Sequence, residues 1–239
     1  MKIFQFFFLF LNFHLFAQTP FSDITLDAGI DNIYDVYQGL FGGGAVAFDY
    51  NNDGYEDLFI TGGQGQDVLY NNNGDGTFKD VTKESGLYKE KMIVTTGVSS
   101  ADVNKDGFID LFVTTIASEV DPSKKKKTLA SNLLYINNGD GTFSDFSSKY
   151  GITKNNFSTS SSFGDINADG YPDLFVGNYF KNFYFEDSPF NTHNIALLNH
   201  YSINEEYETG DDELFINVEG KYFKEVSDLL MDSGKGYGF

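Results

Sequence analysis

Cysteine is absent from this 239-residue chain, and basic residues are scarce. Without a thiol, disulfides and lipid attachment through sulfur are excluded, so any cross-link has to come from elsewhere. Sixteen Lys and Arg stand against 35 Asp and Glu, a formal net charge of -19. Phosphate-backbone binding needs clustered cations, so no nucleic-acid partner is expected. Histidine occurs three times, which leaves little material for acid–base chemistry. Long apolar runs are confined to the N-terminus, where Lys2 precedes a stretch from Ile3 to Phe16 interrupted by Gln5, Asn12 and His14. That stretch falls short of the ~20 residues a membrane span requires. With Ala17 as a small residue before Gln18, residues 1–17 read as a cleaved export signal. The expectation is a secreted or otherwise extracytoplasmic protein with no membrane span after cleavage.

What the chain has in quantity is Asp, Asn and Gly in one repeated order, D-x-N-x-D-G-x-x-D. The copies are Asp49, Asn51, Asp53, Gly54, Asp57; Asp102, Asn104, Asp106, Gly107, Asp110; and Asp165, Asn167, Asp169, Gly170, Asp173. Oxygen donors at alternate positions of a tight loop, with Gly at a sharp turn, suit a hard cation of calcium's size. In this reading three carboxylates, one Asn carbonyl and the main-chain carbonyl of Tyr55, Phe108 or Tyr171 surround each ion, up to three Ca2+ in all. An EF-hand would need a Glu at the twelfth position and a helix after it. Here Ile60, Val113 and Val176 stand there, within D-L-F-[IV] runs that suit strands. A plain turn would account for one copy, but three copies followed by the same run favour metal loops.

Two further units recur. L-Y-x-N-N-G-D-G-T-F spans residues 69–78 and 134–143, with a degenerate copy at 214–223, and reads as a hairpin whose polar run is turn chemistry. F-x-[DE]-[VIF]-[TS] begins at Phe21, Phe78, Phe143 and Phe223. The residues before each metal loop are small: Gly42 to Ala47, Thr95 to Ala101, Ser158 to Ser162. A first strand, a loop, a second strand, a connection and a hairpin therefore repeat. This predicts an all-β fold, a β-propeller of four-stranded antiparallel blades with small residues on the innermost strands. The blades are expected at 41–87, 93–152 and 157–231, after an N-terminal segment (18–40) with an orphan outer strand at 21–25. Residues 115–131, with Lys124 to Lys127, read as a solvated loop tip. Residues 178–212 read as an aromatic-rich insert holding Tyr179, Phe183 and Tyr184.

These units resemble the FG-GAP/VCBS repeat proteins, as in integrin alpha chains, and are most similar to the secreted group related to cartilage acidic protein. The resemblance implies calcium at the five positions of each loop, a seven-bladed ring, and extracellular binding or adhesion. Its expected partner is a protein or glycan ligand. An enzyme acting on polysaccharide is the competing class. It would have to draw on His193 and His200, which carry no nucleophile motif, so no catalytic residue is assigned and a non-enzymatic role is expected. A purely structural display protein is a third class.

About three blades are present, and four is the usual minimum for a ring. Residues 234–239 look like the start of a further repeat, so the ring is expected to be incomplete and the remaining blades to belong to a longer chain. Protein of this sequence is therefore expected to associate through open strand edges. Light scattering checks this, and a monomer with full amide protection at residues 21–25 would contradict it.

Overall fold

The computed structural model describes residues 21–35, 42–121, 126–180 and 210–230. Within them the chain forms three antiparallel sheets, built from strands consecutive in sequence apart from the short β8, which joins the third sheet. The first runs β1 (Ala45–Phe48), β2 (Asp57–Ile60), β3 (Val68–Asn72), β4 (Phe78–Asp80). The second contains β5 (Ile93–Ala101), β6 (Asp110–Asp121), β7 (Lys126–Thr128), then, beyond the short β8 (Ala130–Ser131), β9 (Leu133–Asn137) and β10 (Phe143–Asp145). The third contains β11 (Asn155–Gly164), β12 (Asp173–Phe180), β13 (Glu213–Val218) and β14 (Tyr222–Glu225). The main paths are β1-β2-β3-β4, β5-β6-β9-β10 and β11-β12-β13-β14, three four-stranded blades of a β-propeller.

Hydrophobic cores lie between blades, not within them. A blade is a single sheet with two faces, and each apolar face needs a neighbour. The D-L-F-[IV] run divides accordingly, because alternate strand residues point to opposite faces. Leu111 and Val113 pack with Phe48, Phe59 and Leu69 of the first blade. Phe112 packs with Leu174, Val176 and Phe215 of the third. On the outward faces the same run is less covered: Leu58 and Ile60 are half-buried, and Phe175 is exposed.

The first strands approach one another backbone to backbone. A Cβ on Gly44 would lie 2.8 Å from the Val98 nitrogen, and one on Gly97 would lie 2.8 Å from the Thr159 carbonyl. Only glycine tolerates that approach. Hydroxyls complete it: Thr61 Oγ1 donates to the Thr96 carbonyl at 2.7 Å, and Thr96 Oγ1 to the Ser158 carbonyl at 2.8 Å.

At the periphery, F-x-[DE]-[VIF]-[TS] acts as a two-step clip. Asp80 Oδ1 accepts from the Thr82 N–H and hydroxyl, and Thr82 Oγ1 accepts the Leu69 N–H at 3.0 Å. Asp145, Ser147 and Leu134 repeat the arrangement. The turn that follows docks on the next blade. The Ser85 carbonyl accepts the Phe143 N–H at 2.8 Å, and the Tyr150 carbonyl accepts the Phe223 N–H at 2.9 Å.

Three regions differ from the sequence reading. Residues 21–25, expected as an outer strand, pair with no strand among the described residues; the turn at 25–29 docks on the first blade, its Ala28 carbonyl accepting the Phe78 N–H at 2.8 Å. Residues 115–131 are largely strand, not a loop tip. β6 continues to Asp121 and pairs with β7, and β8 pairs with β11 of the next blade. β12 runs to Phe180, so the insert begins later than expected; Phe183 and Tyr184 lie outside the described residues, as do residues 1–17 and 234–239.

A buried cation braces the first two blades on the side away from the metal loops. Lys89 Nζ donates to Asp67 Oδ1 at 3.1 Å and to the Ile93 carbonyl at 3.1 Å. Asp67 Oδ1 also accepts the Gly62 N–H at 2.7 Å. Burial pulls the Lys89 ammonium below its ordinary pKa, while Asp67 holds it up. Removing one member of such a pair leaves the other charge buried alone, which costs about 3–5 kcal/mol. Lys89→Ala is therefore expected to lower the Tm by many degrees in calorimetry. Lys221→Ala, which breaks an exposed pair with Glu219, is expected to leave the Tm unchanged within error.

Candidate metal centre

Each D-x-N-x-D-G-x-x-D loop joins the first strand of a blade to the second, and the three loops are superimposable in their bonding. In the first, Asp49 Oδ1 accepts the Asp53 N–H at 3.1 Å and Oδ2 the Gly54 N–H at 2.8 Å. Asn51 Oδ1 accepts the Asp53 N–H at 3.0 Å, and Asp53 Oδ1 the Tyr55 N–H at 2.9 Å. The second loop repeats this with Asp102, Asn104, Asp106 and Phe108. The third repeats it with Asp165, Asn167, Asp169 and Tyr171.

The backbone reason is a pair of left-handed residues. The fourth position is Asn52, Lys105 or Ala168, with φ between 59° and 61°, and the sixth is Gly54, Gly107 or Gly170, with φ between 89° and 93°. The fourth position is not glycine in any copy, so each loop stores strain there, offset by the N–H bonds to the first carboxylate.

The ninth position has a different part. Asp57, Asp110 and Asp173 are buried at the start of the second strand. One oxygen of each accepts a loop N–H, from Tyr50, Val103 or Ile166 at 2.8–3.1 Å. The other accepts the N–H of Asn72, Asn137 or Asn217, on the third strand, at 2.7–2.8 Å. Burial pushes the Asp110 carboxyl up to about 7, and repulsion from Asp106 and Asp102 adds to it against the two N–H bonds. Asp57 shifts upward for the same leading cause, its burial.

Among the described residues no three His, Asp or Glu side chains stand together as a ready metal cluster. Each loop is instead closed on itself. Asn51 Nδ2 donates to Asp53 Oδ2 at 2.9 Å, as Asn104 does to Asp106 and Asn167 to Asp169. The donor set nevertheless fits a hard cation. All side-chain groups are oxygen-bearing, the carboxylate oxygens named above each take one N–H bond, and fixed N–H groups orient them.

The hairpins lie beside the loops, as antiparallel pairing requires: the first-to-second and third-to-fourth turns leave a blade at the same end. The Tyr55 ring lies against Gly74, and the Phe108 ring against Gly139. The sequence reading missed one feature here. Asn137 and Asn217 read as turn residues in the sequence, yet their side chains reach the preceding blade. Asn137 Nδ2 donates to the Tyr50 carbonyl at 2.7 Å, and Asn217 Nδ2 to the Val103 carbonyl at 2.9 Å. The signal was present, since Asn72, Asn137 and Asn217 occupy one repeat position.

The family model of the FG-GAP-like repeat matches residues 49–113 and 123–176. These segments take in all three loops. The chain belongs to the FG-GAP-like repeat family. Among curated proteins none matches it significantly. In this FG-GAP-like chain Tyr179, read as part of the aromatic-rich insert, lies on β12 and packs against Phe157 with ring centroids 6.2 Å apart. His193 and His200 lie outside the described residues. No helix among the described residues is long and apolar enough to cross a membrane.

The ninth carboxylate binds two buried N–H groups, whereas the fifth is exposed. In excess chelator Asp110→Ala is therefore expected to destabilise by about 2–5 kcal/mol, since both N–H groups lose their acceptor. Asp106→Ala is expected to have little effect under the same conditions. Urea unfolding of both variants checks the contrast, and equal losses would refute it.

Proposed function

We propose that this FG-GAP-like chain is an extracellular binding module whose loop rim holds calcium and whose opposite rim is free to carry a protein or glycan ligand. The observation that carries the calcium reading is the threefold identity of the loops in hydrogen bonding, in left-handed positions and in oxygen donors. A plain turn needs none of the acidic positions to recur together. The residues that would hold each ion are those at positions one, three, five and nine, with the main-chain carbonyl of position seven: Asp49, Asn51, Asp53, Asp57 and Tyr55 in the first loop, and their counterparts in the others. A bound cation supplies charge compensation for three carboxylates gathered in one loop. The chain's own N–H groups do the orienting, and its buried ninth carboxylate ties the loop to the third strand.

The binding role rests on where the repeats lengthen. Their period is 53 residues between Asp49 and Asp102 and 63 between Asp102 and Asp165. The repeats lengthen most between the second and third strands of a blade, from β6 to β9 and from β12 to β13, and those strands turn over at the end away from the metal loops. Long connections on a rigid scaffold are where recognition sits. A module of this kind needs no catalytic residue, and a non-enzymatic role is part of this proposal.

Calcium is expected to raise the Tm of this chain relative to excess chelator, with affinities of about 10⁻⁴ to 10⁻³ M, as for extracellular modules. The rise should shrink in a variant with Asp53, Asp106 and Asp169 all changed to Ala. Calorimetry checks both, and superimposable wild-type curves with calcium and with chelator would remove the calcium reading.

A further inference from the structure

Neighbouring loops are joined by a continuous path of hydrogen bonds. It starts at the ninth carboxylate of one blade. Asp110 Oδ1 accepts the main-chain N–H of Asn137 at 2.8 Å. The Asn137 side chain then spans the gap between blades, donating to the Tyr50 carbonyl at 2.7 Å and, at 3.3 Å, to the Ile109 carbonyl of its own loop. Its Oδ1 accepts the Gly139 N–H at 3.0 Å, which fixes the amide's orientation. Tyr50 lies between Asp49 and Asn51, two donors of the first loop. The path repeats one blade on. Asp173 Oδ1 accepts the Asn217 N–H at 2.8 Å, and Asn217 Nδ2 donates to the Val103 carbonyl at 2.9 Å, between Asp102 and Asn104.

Both amides are buried, at 1% exposure each. A buried amide with its donors and acceptor engaged has one favourable placement, so a change at either end is passed on and not absorbed by water. Asn72 supplies the contrast within the same chain. Its Nδ2 bonds the Glu56 carbonyl of its own loop at 2.9 Å, and its Oδ1 accepts the Gly74 N–H at 2.9 Å. It carries the local half of the arrangement without the reach to another blade.

We propose that Asn137 and Asn217 are positioning residues that couple adjacent cation loops, so that filling one loop raises the affinity of its neighbour. The inference rests on the calcium reading above and adds to it that the sites do not act independently. Whatever holds the Asp110 carboxylate in place also holds Asn137, and through it the Tyr50 peptide between two donors of the first loop. Coupling between sites is reciprocal, so the effect runs both ways around the rim.

The experiment is calorimetric titration with calcium alone. The variants are wild type; Asp106→Ala, which disables the second loop; Asn137→Ala with Asn217→Ala; and all three changes together. Circular dichroism in chelator confirms that each variant is folded. In the chain with both Asn residues intact, Asp106→Ala is expected to weaken the first and third loops by about fivefold or more, although neither loop is altered. With both Asn residues replaced, adding Asp106→Ala should leave the remaining affinities unchanged. Asn72→Ala tests for a merely structural loss, and Asp106→Ala should still weaken the neighbouring loops in that background. Should the Asn pair fail to fold when replaced, the comparison of wild type with Asp106→Ala stands alone: unchanged neighbours overturn the proposal. So does coupling that survives replacement of both Asn residues. Three independent sites in the wild type would overturn the coupling and keep the calcium reading, whereas no uptake by the wild type would remove both.

Discussion

The loop rim of this propeller depends on one buried carboxyl group in each blade. At Asp57, Asp110 and Asp173 a buried carboxyl group is held by two main-chain N–H groups, one from the loop before it and one from the third strand. Such an arrangement offsets part of the desolvation penalty, and where burial dominates the proton is drawn back, as at Asp110. Remove the carboxylate and three elements lose their common anchor: the loop, the second strand and the hairpin. The recurrence of Asp at the ninth position thus has a folding reason that operates before any cation is considered.

The second constraint is the two-faced blade. A four-stranded sheet has no interior, so each blade becomes stable only when a neighbour covers it, and three contacts made again and again do the covering. Apolar residues of the second and third strands interleave between blades. First strands meet at Gly44 and Gly97, where no side chain fits. Peripheral turns offer a carbonyl to the next blade's fourth strand. Each joins residues far apart in sequence and recurs at the same repeat positions, which is why the repeated units carry the fold.

Much of this was legible in the sequence because repetition separates a required residue from an incidental one. The strands, the loops, the small residues of the first strands and the recurrence of the F-x-[DE]-[VIF]-[TS] unit all lie within one repeat, where local spacing speaks directly. What was not legible involves reach between repeats. The Lys89–Asp67 pair is 22 residues apart, and nothing local distinguishes Lys89 from a solvated lysine. Asn137 looks like a turn residue and is one; its second bond, 87 residues away, appears only when two blades are set side by side. The pairing of β7 with β6 was hidden by the lysine run, which suggested a loop although Lys126 and Lys127 lie on a paired strand.

The docking turn makes every joint between blades directional. Ala28, Ser85 and Tyr150 offer acceptors forward, and Phe78, Phe143 and Phe223 present donors backward. A contact between unlike surfaces of like units is heterologous, and such contacts either close into a ring or propagate as an open helix. Which of the two occurs is decided by the wedge angle between successive blades and by no single residue. The glycines at the narrow end and the aromatic residues at the wide end are, in this sense, the two sides of that angle.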